Sequence, residues 1–302
     1  TAYRRQRQMC IRDSFCTVFM MYPRAEVSAK RIEEVFNLDP IIKNKPADSD
    51  FDEKVSIEFD HVTFVYPDGE EPVLQDVSFK ANKGEMIAFI GSTGSGKSTL
   101  VNLVPRFYDV SSGSIKINGK DIRDYDVLEL RDKLGVIPQK AVLFSGTIAD
   151  NIRFGKKDAS DEEVEYAAKV AQAYPFIMEK ENGFDEEISE GATNVSGGQK
   201  QRLSIARALV RKAQIYIFDD SFSALDFKTD AILRKELKKE MTESIMLVVA
   251  QRISSIMEAD QIIVLNEGKV VGKGTHHQLL KECQIYHEIA TSQLSEEELA
   301  NA

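Results

Sequence analysis

Apolar and polar residues alternate at Val55, Ile57 and Phe59, and again at Val62, Phe64 and Tyr66, the two-residue period of half-buried strands. Val77 and Phe79 continue it, and residues 114–117 run into Asn118-Gly119, a dipeptide that favours tight hairpin turns. This stretch predicts an antiparallel sheet. Residues 86–90 (MIAFI) differ: a short, unbroken apolar run feeds a glycine-rich loop, as expected of a parallel strand buried on both faces. Residues 134–138, 215–218 and 245–249 read the same way. Ser160 and Glu163 form a capping box that opens a helix through Ala173, halted at Pro175. A second helix is predicted from about Gly197 to Arg211, with Leu203, Ala206, Leu209 and Val210 turned inward. Residues 261–265 and 269–271 form a hairpin around Asn266-Glu267-Gly268, and Thr275 with Gln278 caps a last helix. Residues 25–36 read as a helix with Ile32, Val35 and Phe36 on one face. Asp39-Pro40 ends it, and a polar linker spans residues 43–54.

Composition narrows the class. The chain has 302 residues and a formal charge of −10, which argues against a nucleic-acid partner, because phosphate backbones attract basic surfaces. Cys10, Cys16 and Cys283 are odd in number and lack CxxC spacing, so neither a disulfide framework nor a zinc site is indicated. No apolar run reaches the length of about 18 residues that a membrane-spanning helix needs. Residues 14–22 come nearest, between Asp13 and Arg24. The chain opens on threonine, which fits the rear portion of a longer protein, and residues 1–13 carry no usable periodicity.

The chemistry lies in three ordered segments. Residues 91–99 (GSTGSGKST) fit G-x-x-x-x-G-K-[ST] between a strand and a helix. Gly91, Gly94 and Gly96 let the backbone curl, so that its N–H groups, with those of Ser92, Thr93, Ser95 and Thr99, can face phosphate oxygens. Lys97 is placed to reach the β- and γ-phosphates, and Ser98 to ligate Mg²⁺. Asp219 closes an apolar strand at the carboxyl end, where open α/β sheets bind ligands. Alone it reads as a turn or cap residue; beside the phosphate loop it reads as part of the Mg²⁺ shell. The third segment is VSGGQ, residues 195–199. His276-His277 is read as a surface or capping pair, since neighbouring helix-start side chains diverge.

Taken together, Tyr66, the loop at residues 91–99, Gln139 in VIPQ, VSGGQKQR from Val195, IYIFDD ending at Asp220 and SALD from Ser223 resemble the nucleotide-binding domain of ABC transporters. The resemblance covers residues 55–294. It implies an α/β fold: a RecA-like P-loop NTPase core, an antiparallel β-subdomain and a helical signature subdomain at about 147–211. Tyr66 would then stack on adenine, its alternative being a packed strand aromatic. Gln139 would touch Mg²⁺ and sense the γ-phosphate, its alternative being a surface loop amide. Ser196, Gly197, Gly198 and Gln199 would act in trans, on ATP held by a second such domain. Glu190 would lie in the loop that exporters place against their membrane helices, or be a plain solvated carboxylate. The RAEVSAKRI segment at residues 24–32 resembles the stretch after the last membrane helix of ABC exporters. Residues 1–22 are then expected to be a non-native start plus the tip of that helix, residues 23–54 a connecting helix and linker, and residues 295–302 a tail. The transmembrane domain would precede residue 1, with the chain at the cytoplasmic face of a membrane, using ATP and Mg²⁺.

Two residues depart from the family pattern. Asp220 stands where the family carries a glutamate, and Gln251 where it carries a histidine. One methylene less withdraws the carboxylate by about 1.5 Å, enough to spoil alignment of an attacking water; loss of a general base typically costs about 10²–10⁴ in rate. Gln251 can donate a hydrogen bond but cannot become a cation. The pattern resembles the degenerate half of a heterodimeric exporter: tight ATP binding, weak hydrolysis, and a signature that completes the partner's site. The cargo would be drugs or lipids. A soluble ABC ATPase of DNA maintenance would need a long coiled-coil insertion and a different charge. A stand-alone importer ATPase is disfavoured by the segment before Val55, and a nucleotide-gated regulator differs only in lacking a competent partner.

Overall fold

The computed structural model describes residues 2–46 and 55–294. They fall into two compact units, one ending at Lys43 and the other beginning at Asn44. The first is dominated by helix α1 (Ala2–Phe36), whose described side chains are all exposed. Residues 2–24, of which those up to 13 carry no usable periodicity, thus join residues 25–36 in one helix. Runs of Arg, Gln and Met propagate helix well, and Pro23 removes one backbone donor without ending it. No helix among the described residues is long and apolar enough to cross a membrane. The expected tail at 295–302 and most of the linker lie outside the described residues.

In the second unit the strands are β1 (Ser56–Phe64), β2 (Leu74–Asn82), β3 (Met86–Gly91), β4 (Ser112–Ile117), β5 (Lys120–Asp121), β6 (Leu134–Ile137), β7 (Gly146–Thr147), β8 (Glu187–Ile188), β9 (Ile215–Asp219), β10 (Ile245–Val249), β11 (Gln261–Asn266) and β12 (Lys269–Gly274). The helices are α2 (Lys97–Leu103), α3 (Val127–Asp132), α4 (Ile148–Arg153), α5 (Asp161–Val170), α6 (Tyr174–Met178), α7 (Gly197–Leu209), α8 (Phe227–Glu240), α9 (His276–Glu282) and α10 (Gln284–Gln293). Asn44 begins this unit rather than a free linker: its amide donates to Asp126 at 2.7 Å and its carbonyl oxygen accepts from the Val127 N–H at 2.8 Å, while Lys45 pairs with Asp124.

The core sheet has the order β12-β11-β3-β10-β9-β6, parallel from β11 to β6 with β12 antiparallel at one edge. Its strands are unbroken apolar runs because both faces are covered. Ile87, Phe89, Ile215, Ile217, Leu247 and Val249 face the cluster shared with α2 and the front sheet. Ala88, Ile90, Tyr216, Phe218, Met246 and Val248 face the cluster shared with the helices. The front sheet, β2-β1-β4-β5, is antiparallel. A register shift between Phe59 and Val62 marks a bulge with His61 at φ 49°. That extra residue lets both Phe59 and Val62 point inward although they are an odd number of residues apart. Phe59 stacks on Phe79 at 4.4 Å, and Phe79 meets Phe89 of β3 edge-on at 5.3 Å, joining front sheet to core.

Helices α4 to α7 make the helical subdomain. The capping boxes at Ser160/Glu163 and Thr275/Gln278 form as the sequence predicts. Pro175 does not simply stop a helix; it occupies the first turn of α6, where its missing N–H has no intrahelical partner to lose.

Candidate nucleotide-binding site

The phosphate loop links β3 to α2. A Cβ on Gly91 would sit 2.0 Å from the Leu265 carbonyl oxygen of β11, so any side chain there would push two core strands apart. Gly96 has φ 96° and lies against Leu74 and Val73, a left-handed backbone that other residues adopt only with strain. The loop therefore curls back over the sheet end. The Lys97 ammonium sits inside the curl, donating to the Gly91 carbonyl at 2.9 Å, the Ser92 carbonyl at 2.7 Å and the Ser95 hydroxyl at 3.2 Å. Burial lowers its pKa, an effect opposed by the nearby Asp220 and Asp219 charges.

One residue on, the Ser98 hydroxyl donates to Asp219 Oδ1 at 2.9 Å. Burial raises the Asp219 pKa; the Ser98 hydrogen bond opposes the shift, and the neighbouring Asp220 charge adds to it. A hydroxyl and a carboxylate side by side are the hard oxygen donors that Mg²⁺ prefers. No group of three or more His, Cys, Asp or Glu residues forms a metal cage among the described residues. Mg²⁺ is commonly held by one or two carboxylates together with substrate phosphates.

The two departures from the family pattern meet. Gln251 Nε2 donates to Asp220 Oδ2 at 2.8 Å, and Gln139 Nε2 donates to the same oxygen at 3.2 Å. Asp220 follows β9 with φ 47°, a left-handed conformation that aspartate tolerates better than most side chains. Its N–H donates to the Val249 carbonyl at 3.0 Å and its carbonyl accepts from the Ser223 hydroxyl at 2.9 Å, so the turn is pinned on both sides. Burial raises the Asp220 pKa, against the Gln139 hydrogen bond and the Lys97 charge. Gln139, Asp220 and Gln251 share with the phosphate loop a cleft of about 640 Å³, the size class of small-molecule sites.

Tyr66 is not among the residues lining this cleft. Its hydroxyl hydrogen-bonds Thr99 at 3.0 Å, and its ring stands edge-on to Phe64 and Tyr108, placing it beside the loop's far end. Ser196 caps α7: its hydroxyl accepts from the Gln199 N–H at 3.3 Å, while Gln199 Oε1 accepts from the Ser196 N–H at 2.9 Å. Ser196 and Gly197 are exposed, none of the four signature residues lines the cleft, and Val195 is buried. Glu190 is exposed at the start of a single 3-10 turn. His276, expected at the surface or in a cap, is instead buried, because the Tyr286 ring of α10 packs over it and its Nδ1 shares a hydrogen bond with the Tyr286 hydroxyl at 2.7 Å.

Helix α10, which no sequence motif marks, supplies one wall of the cleft through Ile285, Glu288, Ile289, Ser292 and Gln293. The i, i+4 spacing of Ile285 and Ile289 was the available signal, and it identifies a helix face without saying what that face borders.

Comparison with known proteins agrees with this geometry. The ABC transporter family matches residues 74–223. An uncharacterised ABC transporter ATP-binding protein of Mycobacterium tuberculosis is 44% identical over 90% of this chain and 47% of its own length. A putative multidrug export ATP-binding/permease protein of Staphylococcus aureus is 44% identical over 78% of this chain and 41% of its own. A bacterial Atm1-family ABC exporter solved with ATP bound superposes with a TM-score of 0.86 at 34% identity, over 93% of this chain and 49% of that one. The chain thus spans about half the length of the relatives it matches. A phosphate loop, a Ser98–Asp219 pair and a capped signature helix on a RecA-like core, with these matches, make this chain a carrier of the ATP-binding domain of the ABC transporter family.

Proposed function

We propose that the chain is the nucleotide-binding part of an ABC exporter subunit whose own site binds Mg-ATP and hydrolyses it weakly, paired with a different, catalytically competent subunit. The observation that carries the reading is the shared Asp220 oxygen. In the family the residue after the strand-end aspartate orients an attacking water. Here the shorter carboxylate is engaged by two amides, from Gln139 and Gln251, which leaves it fewer lone pairs to orient water.

The phosphate loop and Lys97 would hold the triphosphate, Ser98 and Asp219 would hold Mg²⁺, and Tyr66 would lie under adenine. Mg²⁺ would supply charge neutralisation at the β- and γ-phosphate oxygens. The start of α7 would serve the partner's nucleotide: Ser196 and Gln199 cap each other, and the first N–H groups of the helix, at Gly197 and Gly198, would be offered to an anion. Binding at two such composite sites would join the domains, and hydrolysis at the competent one would part them. The segment before residue 55 and the multidrug and Atm1-family relatives support an exporter at the cytoplasmic face of a membrane, with drugs or lipids as cargo and a transmembrane domain as partner.

Calorimetry with Mg-ATP tests the site. The chain is expected to bind, and Lys97→Ala to lose at least tenfold in affinity, since a charged hydrogen-bonding group is worth about 1.5–3 kcal/mol. Indifference of the folded chain to Mg-ATP refutes the reading. Purification of the full transporter tests the pairing: it should bring down a second subunit bearing the glutamate and histidine that this one lacks, and a homodimer would overturn it.

A further inference from the structure

The loop that carries Gln251 is held from outside the phosphate-binding machinery. Gln293, in the last turn of α10, donates through Nε2 to the Gln251 carbonyl at 2.8 Å and accepts through Oε1 from the Ile253 N–H at 2.8 Å. One side-chain amide thereby bridges two main-chain groups on either side of Arg252, imitating a rung of a β-ladder. Its base is firm. Tyr286 and Ala290 of α10 are fully buried, and the Tyr286 hydroxyl is tied to His276. The same helix presents Ile285, Ile289 and Ser292 to the cleft.

We infer that Gln293 is a positioning residue for the nucleotide site: by fixing the main chain of residues 251–253, it fixes the Gln251 amide against Asp220. The contact sequence is short and continuous: α10, Gln293, the Gln251 main chain, the Gln251 side chain, Asp220 Oδ2. Displacement of α10 therefore alters the hydrogen bonding of the carboxylate next to the phosphate loop, and α10, well beyond the residues matched by the family, belongs to the working site. The inference rests on the cleft being a Mg-ATP site.

Two measurements on the whole chain test it. The first needs no nucleotide: amide hydrogen exchange at Ile253, followed by NMR, is expected to rise about tenfold in Gln293→Ala, the equivalent of one lost hydrogen bond. The second is Mg-ATP affinity in a cycle of Q293A, Q251A and the double variant. If Gln293 acts through Gln251, each single change shifts affinity and the double variant equals Q251A. Gln293→Glu, which keeps the acceptor but sets a carboxylate against the Gln251 carbonyl, should shift affinity at least as far as Ala. Unchanged exchange at Ile253, or affinity changes that simply multiply in the double variant, overturns the inference. Failure of the unsubstituted chain to bind Mg-ATP removes the nucleotide-site reading and the positioning role with it, while the exchange result separately reports whether the clamp exists.

Discussion

If the site hydrolyses weakly, as proposed, restoring the family residue at position 220 should recover part of the rate, and restoring both positions the larger part. Asp220 Oδ2 accepts from Gln251 at 2.8 Å and Gln139 at 3.2 Å. A hydrogen bond to a charged group is worth about 1.5–3 kcal/mol. Asp220→Glu moves the carboxylate about 1.5 Å further into the cleft, toward the place of an attacking water, and must break or rebuild the Gln251 contact to do so. A recovered general base offers about 10²–10⁴ in rate, of which that contact withholds about 10- to 100-fold at 1.36 kcal/mol per decade. Asp220→Glu alone should therefore accelerate Mg-ATPase by about tenfold, and Asp220→Glu with Gln251→His by about 10² or more, beyond the product of the single changes. Phosphate release is measured over a range of chain concentrations, so that any activity requiring two copies is seen. A doubly substituted chain no faster than the unsubstituted one, or an unsubstituted chain already turning over as fast as the double variant, refutes the assignment of the weak step to these residues.

Two further outcomes follow from the same geometry. The raised pKa of Asp219 means that the folded, nucleotide-free protein binds its proton more tightly than the unfolded chain does. This carboxyl's contribution to stability is thus fully present below the unfolded value near 3.9 and is lost as pH rises through the folded value. Asp219→Asn should therefore raise Tm at pH 7 more than at pH 4 while removing the gain in nucleotide affinity that Mg²⁺ gives; thermal unfolding across pH and calorimetry with and without Mg²⁺ check both. Ser196→Ala removes the α7 cap at about 0.5–2 kcal/mol, so Tm should fall by about 1–8 °C, whereas Ser196→Asp, which also caps, should keep Tm and, under the proposed pairing, weaken ATP-driven association by placing a like charge where the partner's triphosphate would lie.

Much of this fold was legible because its signals are local. The unbroken runs of β3, β9 and β10, the capping boxes at Ser160 and Thr275 and the phosphate loop are each set by neighbours within a few residues. The antiparallel edge was legible too, although the jump in phase between Phe59 and Val62 shows its cause, the bulge at His61, only in three dimensions. Less legible was whatever depends on distant partners. His276 reads as a superficial helix-start residue until Tyr286 is found closing over it. Asn44 and Lys45 read as linker until Asp126 and Asp124 are found beside them. Helix α8 was missed because its first turn follows SALD without an apolar stripe strong enough to announce it, Leu233 and Leu237 alone being its buried apolar residues.

The site itself separates two kinds of requirement. Gripping a triphosphate is a main-chain task, set by loop curvature that Gly91 and Gly96 permit and by the helix that begins at Lys97, so a short motif suffices to specify it. Placing a water for in-line attack is a side-chain task, in which one methylene and one ring decide the outcome. The first can persist unchanged while the second is altered, since nothing in the loop's geometry depends on Asp220 being a glutamate. The reverse does not hold: Asp220 and Gln251 have no anion to act on without the loop. Their direct contact adds a constraint, because changing either alone leaves the other with an unmatched partner. Aspartate with glutamine forms one self-consistent hydrogen-bonded pair, and a single substitution at either position breaks it.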